Sequence, residues 1–210
     1  MAHPPPAAHA VSTARGRRGA VTALRIIAGV LKGRRLVTAR GDTTRPTADQ
    51  VRIALLDTLA PRLAGARFLD LFAGAGGVGL EALSRGAAQA TFVERDARAI
   101  AALRANVATL ELEASVRVQR GDVLKELTAL DRDGERFDLV FLDPPYEAGL
   151  VETTLETLGG GGLLRAEAWV IAQHFTKRAP APTVGALAAF RTRRFGETTL
   201  TFYRAGPRSP

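Results

Sequence analysis

Asp143-Pro144-Pro145-Tyr146 is the stretch of this 210-residue chain whose residue types most sharply specify a chemistry. An exocyclic amine on a nucleobase is a poor nucleophile, because its lone pair is delocalised into the ring. A carboxylate and a neighbouring backbone carbonyl can accept both amine hydrogens and leave the lone pair aimed at an electrophile. Consecutive prolines restrict the backbone that presents this carbonyl. Tyr146 offers a face for stacking the base, a contact of about 1–3 kcal/mol in single-strand binders. The bland alternative is a turn in which Asp143 caps and Tyr146 packs.

A second constellation lies upstream. Asp70 precedes Phe72-Ala73-Gly74, and Gly74, Gly76 and Gly79 form G-x-G-x-x-G, which lets backbone approach a ligand at a helix N-terminus. A carboxylate ahead of that loop disfavours a pyrophosphate and suits a cofactor with a positive centre and an amino group, such as S-adenosylmethionine. Glu94 follows Asp70 by 24 positions, near the roughly 20-residue offset at which an acid reaches ribose hydroxyls. A helix cap is its alternative. Asp122, after a third apolar run, is expected beside the adenine amino group, with a loop cap as the competing reading.

These residues need strands and helices to hold them. Arg67–Leu71, Ala90–Glu94, Ser115–Gln119 and Phe137–Leu142 read as four parallel strands ending in acidic or glycine-rich turns. Helices are expected after the glycine loop, from the cap Asp96 through Leu110, and over residues 148–158. Gly159–Gly162 reads as a flexible link, and Trp169–Ala172 as a fifth strand. Ala188–Phe195 and Thr198–Tyr203 read as a hairpin turning at Gly196. Near the start, Leu24–Val30 and Arg34–Val37 predict a β-hairpin whose tip carries Lys32, Arg34 and Arg35. The Thr47/Gln50 capping box predicts a helix over 48–59, closed by Pro61, with Arg45 and Arg52 near its start. The fold class is therefore α/β: a Rossmann-like, mostly parallel twisted sheet with a C-terminal antiparallel hairpin and a small N-terminal hairpin-plus-helix extension. The expected organisation is a disordered basic tail over 1–20, the extension over 21–62 and the catalytic domain over 63–205.

Composition narrows the partners. The chain has no cysteine, and His3, His9 and His174 have no ligand-like spacing, so neither thiol chemistry nor a metal is expected. No apolar run approaches the ~18 residues of a membrane span. The net charge of +8 is distributed as basic ends around an acidic middle. That pattern suggests a polyanion gripped outside the cofactor core, although the excess of arginine over lysine is also what a biased genome produces.

The chain resembles the RsmD family, the bacterial 16S rRNA (guanine(966)-N2)-methyltransferases. The resemblance rests on Arg25–Gly29, Lys32–Leu36, Arg45–Arg52, Leu69–Gly76, Gly79–Gly86, Phe141–Tyr146 and Phe195–Tyr203, within residues 24 to about 204. It implies a class I enzyme of the cytoplasm, a monomer. Such an enzyme would move a methyl from S-adenosylmethionine to N2 of a guanine in 16S rRNA, on the assembling small subunit with its bound ribosomal proteins. By that resemblance Asp70, Phe72, Ala73, Gly74, Gly76 and Gly79 form the cofactor loop, Glu94 the ribose acid and Asp122 the adenine-side acid. Asp143, Pro144, Pro145 and Tyr146 form the catalytic segment. Lys32, Arg34, Arg35, Arg45 and Arg52 are expected to bind RNA, with the cofactor carboxylate as a second role for Arg45 and Arg52. Two stretches depart from the family pattern: Arg52–Asp57, where a Glu, a Phe and an Asn are usual, and Gln173, where an acid is common. Both are expected to lie off the methyl-transfer site. Competing readings are a DNA adenine-N6 methyltransferase, a protein glutamine methyltransferase (which usually has Asn at position 143) and a non-catalytic RNA-binding assembly factor.

Overall fold

In the computed structural model the described residues are 24–38, 46–145 and 149–206, with nothing said of the side chains of 46–48. The expected tail over 1–20, Arg45 and Tyr146 lie outside them, as does the side chain of Thr47 on which the capping box depends.

The order of elements is α1 (Pro46–Leu63), β1 (Arg67–Leu71), α2 (Gly77–Ser84), β2 (Gln89–Glu94), α3 (Ala97–Leu110), β3 (Val116–Arg120), α4 (Val123–Arg132), β4 (Phe137–Leu142), α5 (Leu150–Gly160), β5 (Leu164–Phe175), β6 (Thr183–Val184), β7 (Leu187–Phe195) and β8 (Thr198–Ala205). The eight-stranded sheet runs β3-β2-β1-β4-β5-β8-β7-β6. β3, β2, β1, β4 and β5 are parallel; β8, β7 and β6 add antiparallel pairs. The order reverses between β1 and β4, the topological switch point where such sheets bind ligands outside their carboxyl ends.

The sheet is buried on both faces, so its central strands are continuous apolar runs. One face packs Phe68, Phe92, Phe141 and Ile171 against α1, α2, α3 and the N-terminal segment, whose Ile26 and Leu36 are buried in the same cluster. The other packs Leu71, Val140 and Val170 against α4 and α5 through Leu127, Leu130, Leu155 and Leu158.

Three expectations change in the structure. The N-terminal hairpin is short: Arg25 bridges Arg35, and the Ile26, Gly33 and Leu36 amides donate to the Arg34, Ile26 and Leu24 carbonyls at 2.9, 2.8 and 2.8 Å. The Ile27 and Ala28 amides, instead of extending a ladder, donate to the Glu81 carboxylate at 2.7 and 2.8 Å. Pro61 does not close α1, which runs a further two residues to the buried Leu63. Losing one amide near a helix end is a small cost against burying that leucine. Gly159 and Gly160 are the last turn of α5, not a link. A side chain on Gly159 would strike the Val184 carbonyl at 2.4 Å, so the glycine is there to let β6 approach.

Candidate active site

The strand order places Asp70 (in β1), Glu94 (ending β2) and Asp143 (just after β4) along the carboxyl edge around the switch point. The glycine loop turns tightly beneath them. Gly76 takes φ 84° as the residue before α2, and a Cβ there would meet the Leu103 Cδ1 at 2.4 Å. Phe72 holds φ 61°, a left-handed conformation that costs a non-glycine residue free energy and clusters at functional sites. Gly74 also has positive φ, and a Cβ there would meet nothing within 4 Å.

Gly79 does something else. Its Cα lies against Phe92, where a Cβ would be 2.4 Å from the ring, and its amide donates to Asp70 Oδ2 at 2.8 Å. The third glycine thus sets the packing of helix on sheet and fixes Asp70 rather than facing the cavity. Glu94 accepts from the Gly74 amide at 2.8 Å and from the Arg95 and Asp96 amides at 2.8 Å. A carboxylate offers about four acceptor positions, so one remains for a ribose hydroxyl. Asp122 caps α4, accepting from Leu124 and Lys125 at 3.1 and 3.3 Å, and also lines the cavity; cap and wall are the same residue.

Two cavities meet here. One, of about 400 Å³, is bounded by Glu94, Asp96, Asp122, Val123 and Pro145. The other, of about 180 Å³, is bounded by Asp49, Arg52, Asp70, Phe141 and Gln173. Phe72 and Asp143 line both. Pro144 is buried behind them.

The smaller cavity carries opposed buried charges. Arg52 is 6% exposed; Nη2 donates to the Arg25 carbonyl and to Asp49 Oδ1, both at 3.0 Å. Its Nε and Nη1 have no partner. Burial pulls the guanidinium below its usual pKa, with Asp49 and Glu81 opposing. Across the cavity, burial pushes Asp70 up to about 8, against the Gly79 amide and with Asp143 and Glu94 adding to the rise. Burial raises Asp143 to about 7. Unsatisfied donors at one end and carboxyls held short of ionisation at the other are complementary to a zwitterion.

Of the two roles expected for Arg52, RNA and the cofactor carboxylate, its burial on this cavity wall fits the second. Lys32, Arg34 and Arg35 are exposed, but not beside Asp143. Their loop is tied to the C-terminal end of α2, where the Val30 and Leu31 amides donate to the Ser84 carbonyl and Oγ at 2.8 and 3.0 Å. Arg34 reaches the Thr109 carbonyl near the end of α3. That is the opposite end of the sheet.

Gln173 corrects an expectation. Its Nε2 donates to Asp143 Oδ2 at 2.9 Å, so this departure from the family pattern does touch the site and orients its carboxylate. Within the other departure, Leu56 is in the core and Asp57 pairs with Arg85 at 2.6 Å, whereas Arg52 and Leu55 line the smaller cavity. Asn106 was missed altogether. It is 1% exposed and joins the Val37 backbone to the Ala75 carbonyl, tying the N-terminal segment to the glycine loop. A polar residue on the Leu103–Leu110 face of α3 was its one sequence signal.

A Rossmann-like sheet with this loop, these strand-end acids and an antiparallel β8 inserted beside β5 is the fold of class I methyltransferases. The chain belongs to the RsmD family: the family described as Conserved hypothetical protein 95 matches residues 24–204. It is 41% identical over 147 residues to Ribosomal RNA small subunit methyltransferase D of Escherichia coli, covering 70% of this chain and 72% of that one. It is 37% identical over 181 residues to the Bacillus subtilis protein YlbH, covering 86% and 98%. Among solved structures, the Escherichia coli protein yhhF superimposes with a TM-score of 0.78 at 36% identity, covering 88% and 99%.

Proposed function

We propose that the chain methylates a guanine N2 amine of small-subunit ribosomal RNA with S-adenosylmethionine as donor. The observation that carries this reading is Asp143 at the junction of the two cavities, half-buried, oriented by Gln173 and with a carboxyl near neutrality.

The residues present fit that cofactor. Glu94 would take a ribose hydroxyl and Asp122 would lie on the adenine side of the larger cavity. In the smaller one Arg52 would receive the amino-acid carboxylate on its free Nε and Nη1, and Asp70 would face the ammonium side. When bound, the cofactor supplies an activated methyl on a cationic sulfur. Asp143 accepts a hydrogen of the target amine and keeps the nitrogen lone pair directed at that carbon. Transfer would replace the donor's S–C bond with an N–C bond, and Asp143 would receive the surplus amine proton. A carboxyl near pH 7 is suited to receive it. A paired base must leave its stack to reach this depth.

The DNA adenine-N6 reading usually requires an added target-recognition region. Between the glycine loop and Asp143, α2, β2, α3, β3, α4 and β4 account for the chain, leaving no such insertion.

The test is transfer from labelled S-adenosylmethionine to unmodified small subunits, to naked 16S rRNA and to duplex DNA, with the labelled nucleoside identified after digestion. Label in N2-methylguanosine is the expected result. Label in N6-methyladenine would install the DNA reading, and cofactor binding without transfer to any substrate would indicate a non-catalytic role.

A further inference from the structure

A third cavity, of about 350 Å³, opens where β5 ends, lined by Phe175, Thr176, Lys177, Arg178, Arg194 and Glu197. Its frame is held by backbone. The Thr176 amide donates to the Glu197 carbonyl at 2.7 Å and the Arg178 amide to the Phe175 carbonyl at 2.9 Å. Arg194 Nε donates to the Gly196 carbonyl at 2.9 Å, which ties its side chain to the β7–β8 turn.

Lys177, Arg178 and Arg194 are exposed, and none forms an ion pair with a carboxylate among the described residues. Three unneutralised cations face one acid, Glu197, around an aromatic wall. The cavity is also on the catalytic end of the sheet. Phe175 is two residues beyond Gln173, which holds Asp143; at about 3.3 Å per residue that is roughly 7 Å along β5.

We propose that this rim is a phosphate-backbone cradle that grips the nucleotides flanking the target base while that base is held at Asp143. The proposal rests on the RNA-methylation reading above and adds where the RNA is held. A positively charged groove beside an aromatic surface is how sequence-tolerant single-strand binders track a backbone. The cradle lies at the end of the sheet where the chemistry is, whereas the basic loop of Lys32, Arg34 and Arg35 lies at the other end. Specificity for one guanine does not follow from such contacts; they position and do not read bases.

The test compares K177E/R178E/R194E with K32E/R34E/R35E and the unaltered protein. Naked 16S rRNA and unmodified small subunits serve as substrates. S-adenosylhomocysteine affinity serves as the check on folding and on the cofactor site. The rim variant is expected to keep that affinity, to raise KM for naked RNA by about tenfold or more, and to flatten the salt dependence of RNA binding. With about 0.7 per phosphate contact on single strands, three lost contacts reduce the log–log slope by about 2. The single variants K177Q and R178Q should each reduce it by a part of that. An unchanged KM and slope in the rim variant would overturn the proposal. So would a loss confined to intact subunits, which would make the partner a ribosomal protein. An unaltered protein that transfers nothing to RNA would remove the underlying reading, a result distinct from a rim variant that behaves like it.

Discussion

Arg52 is the residue whose role the structure narrows most. On the sequence it lies beside the apolar positions Val51, Leu55 and Leu59 of a helix, with RNA and the cofactor carboxylate both open to it. In the fold it is buried, with two donor groups open to a cavity that also holds Asp70 and Asp143. A hydrogen bond to a charged partner contributes about 1.5–3 kcal/mol. Arg52→Met should therefore weaken S-adenosylhomocysteine binding by about 10- to 100-fold while leaving adenosine, which has no carboxylate, bound as before. Calorimetric titration of both ligands checks this. Equal losses for the two would make Arg52 a structural residue of α1.

At the scale of elements, the N-terminal segment belongs to the enzyme's core because α2 reaches out to it. Glu81 is fully buried and accepts from the Ile27 and Ala28 amides and from Arg85 Nε at 3.0 Å. Ser84 Oγ donates to the Ala28 carbonyl at 2.6 Å, and Gly29 has no room for a side chain beside the Ser84 backbone. Removing the acid leaves two part-buried amides without their acceptor and Arg85 with Asp57 alone. Glu81→Ala is expected to cost about 3–5 kcal/mol, the range for breaking a buried charged pair by deleting one partner. Urea unfolding measures it. A change below about 1 kcal/mol would show that the segment is held by its apolar residues Ile26 and Leu36 instead.

At the scale of the whole molecule, the site is built at the expense of stability. Asp70 and Asp143 sit at about 8 and about 7 in the fold against an ordinary 3.8. Between those values the folded chain keeps protons that the unfolded chain has released. Stability therefore falls as pH rises from about 4 to about 8. A cationic ligand reverses this by restoring the carboxylates, so its binding releases protons. The ligand-free protein is expected to melt at lower temperature at pH 8 than at pH 6, and Asp70→Asn should reduce the difference. S-adenosylmethionine should bind more tightly at the higher pH. A melting temperature flat between pH 6 and pH 8 would show that both carboxyls are ionised throughout.

Short-range patterns were enough for β1 to β4, the glycine loop, the cap at Asp96, the turn at Gly196 and the acids at the strand ends, because each depends on periodicity or on one local bond; β5 is longer than its Trp169–Ala172 core and β6 was not expected. Asp70, Glu94 and Asp143 could be singled out for the same reason: a strand followed by a tight turn announces where its last side chain emerges. The sequence could not say which polar groups lose their water. Arg52 and Asp143 share a cavity only because α1 packs on the sheet face that carries Phe68 and Phe141, and Gln173 meets Asp143 only because β5 lies beside β4. The same folding separates residues that composition had grouped: the basic loop at Lys32–Arg35 and the basic rim at Lys177–Arg194 lie at opposite ends of the sheet. Charge, spacing and propensity belong to the chain, but burial and juxtaposition are properties of packing, and the chemistry of this site depends on both.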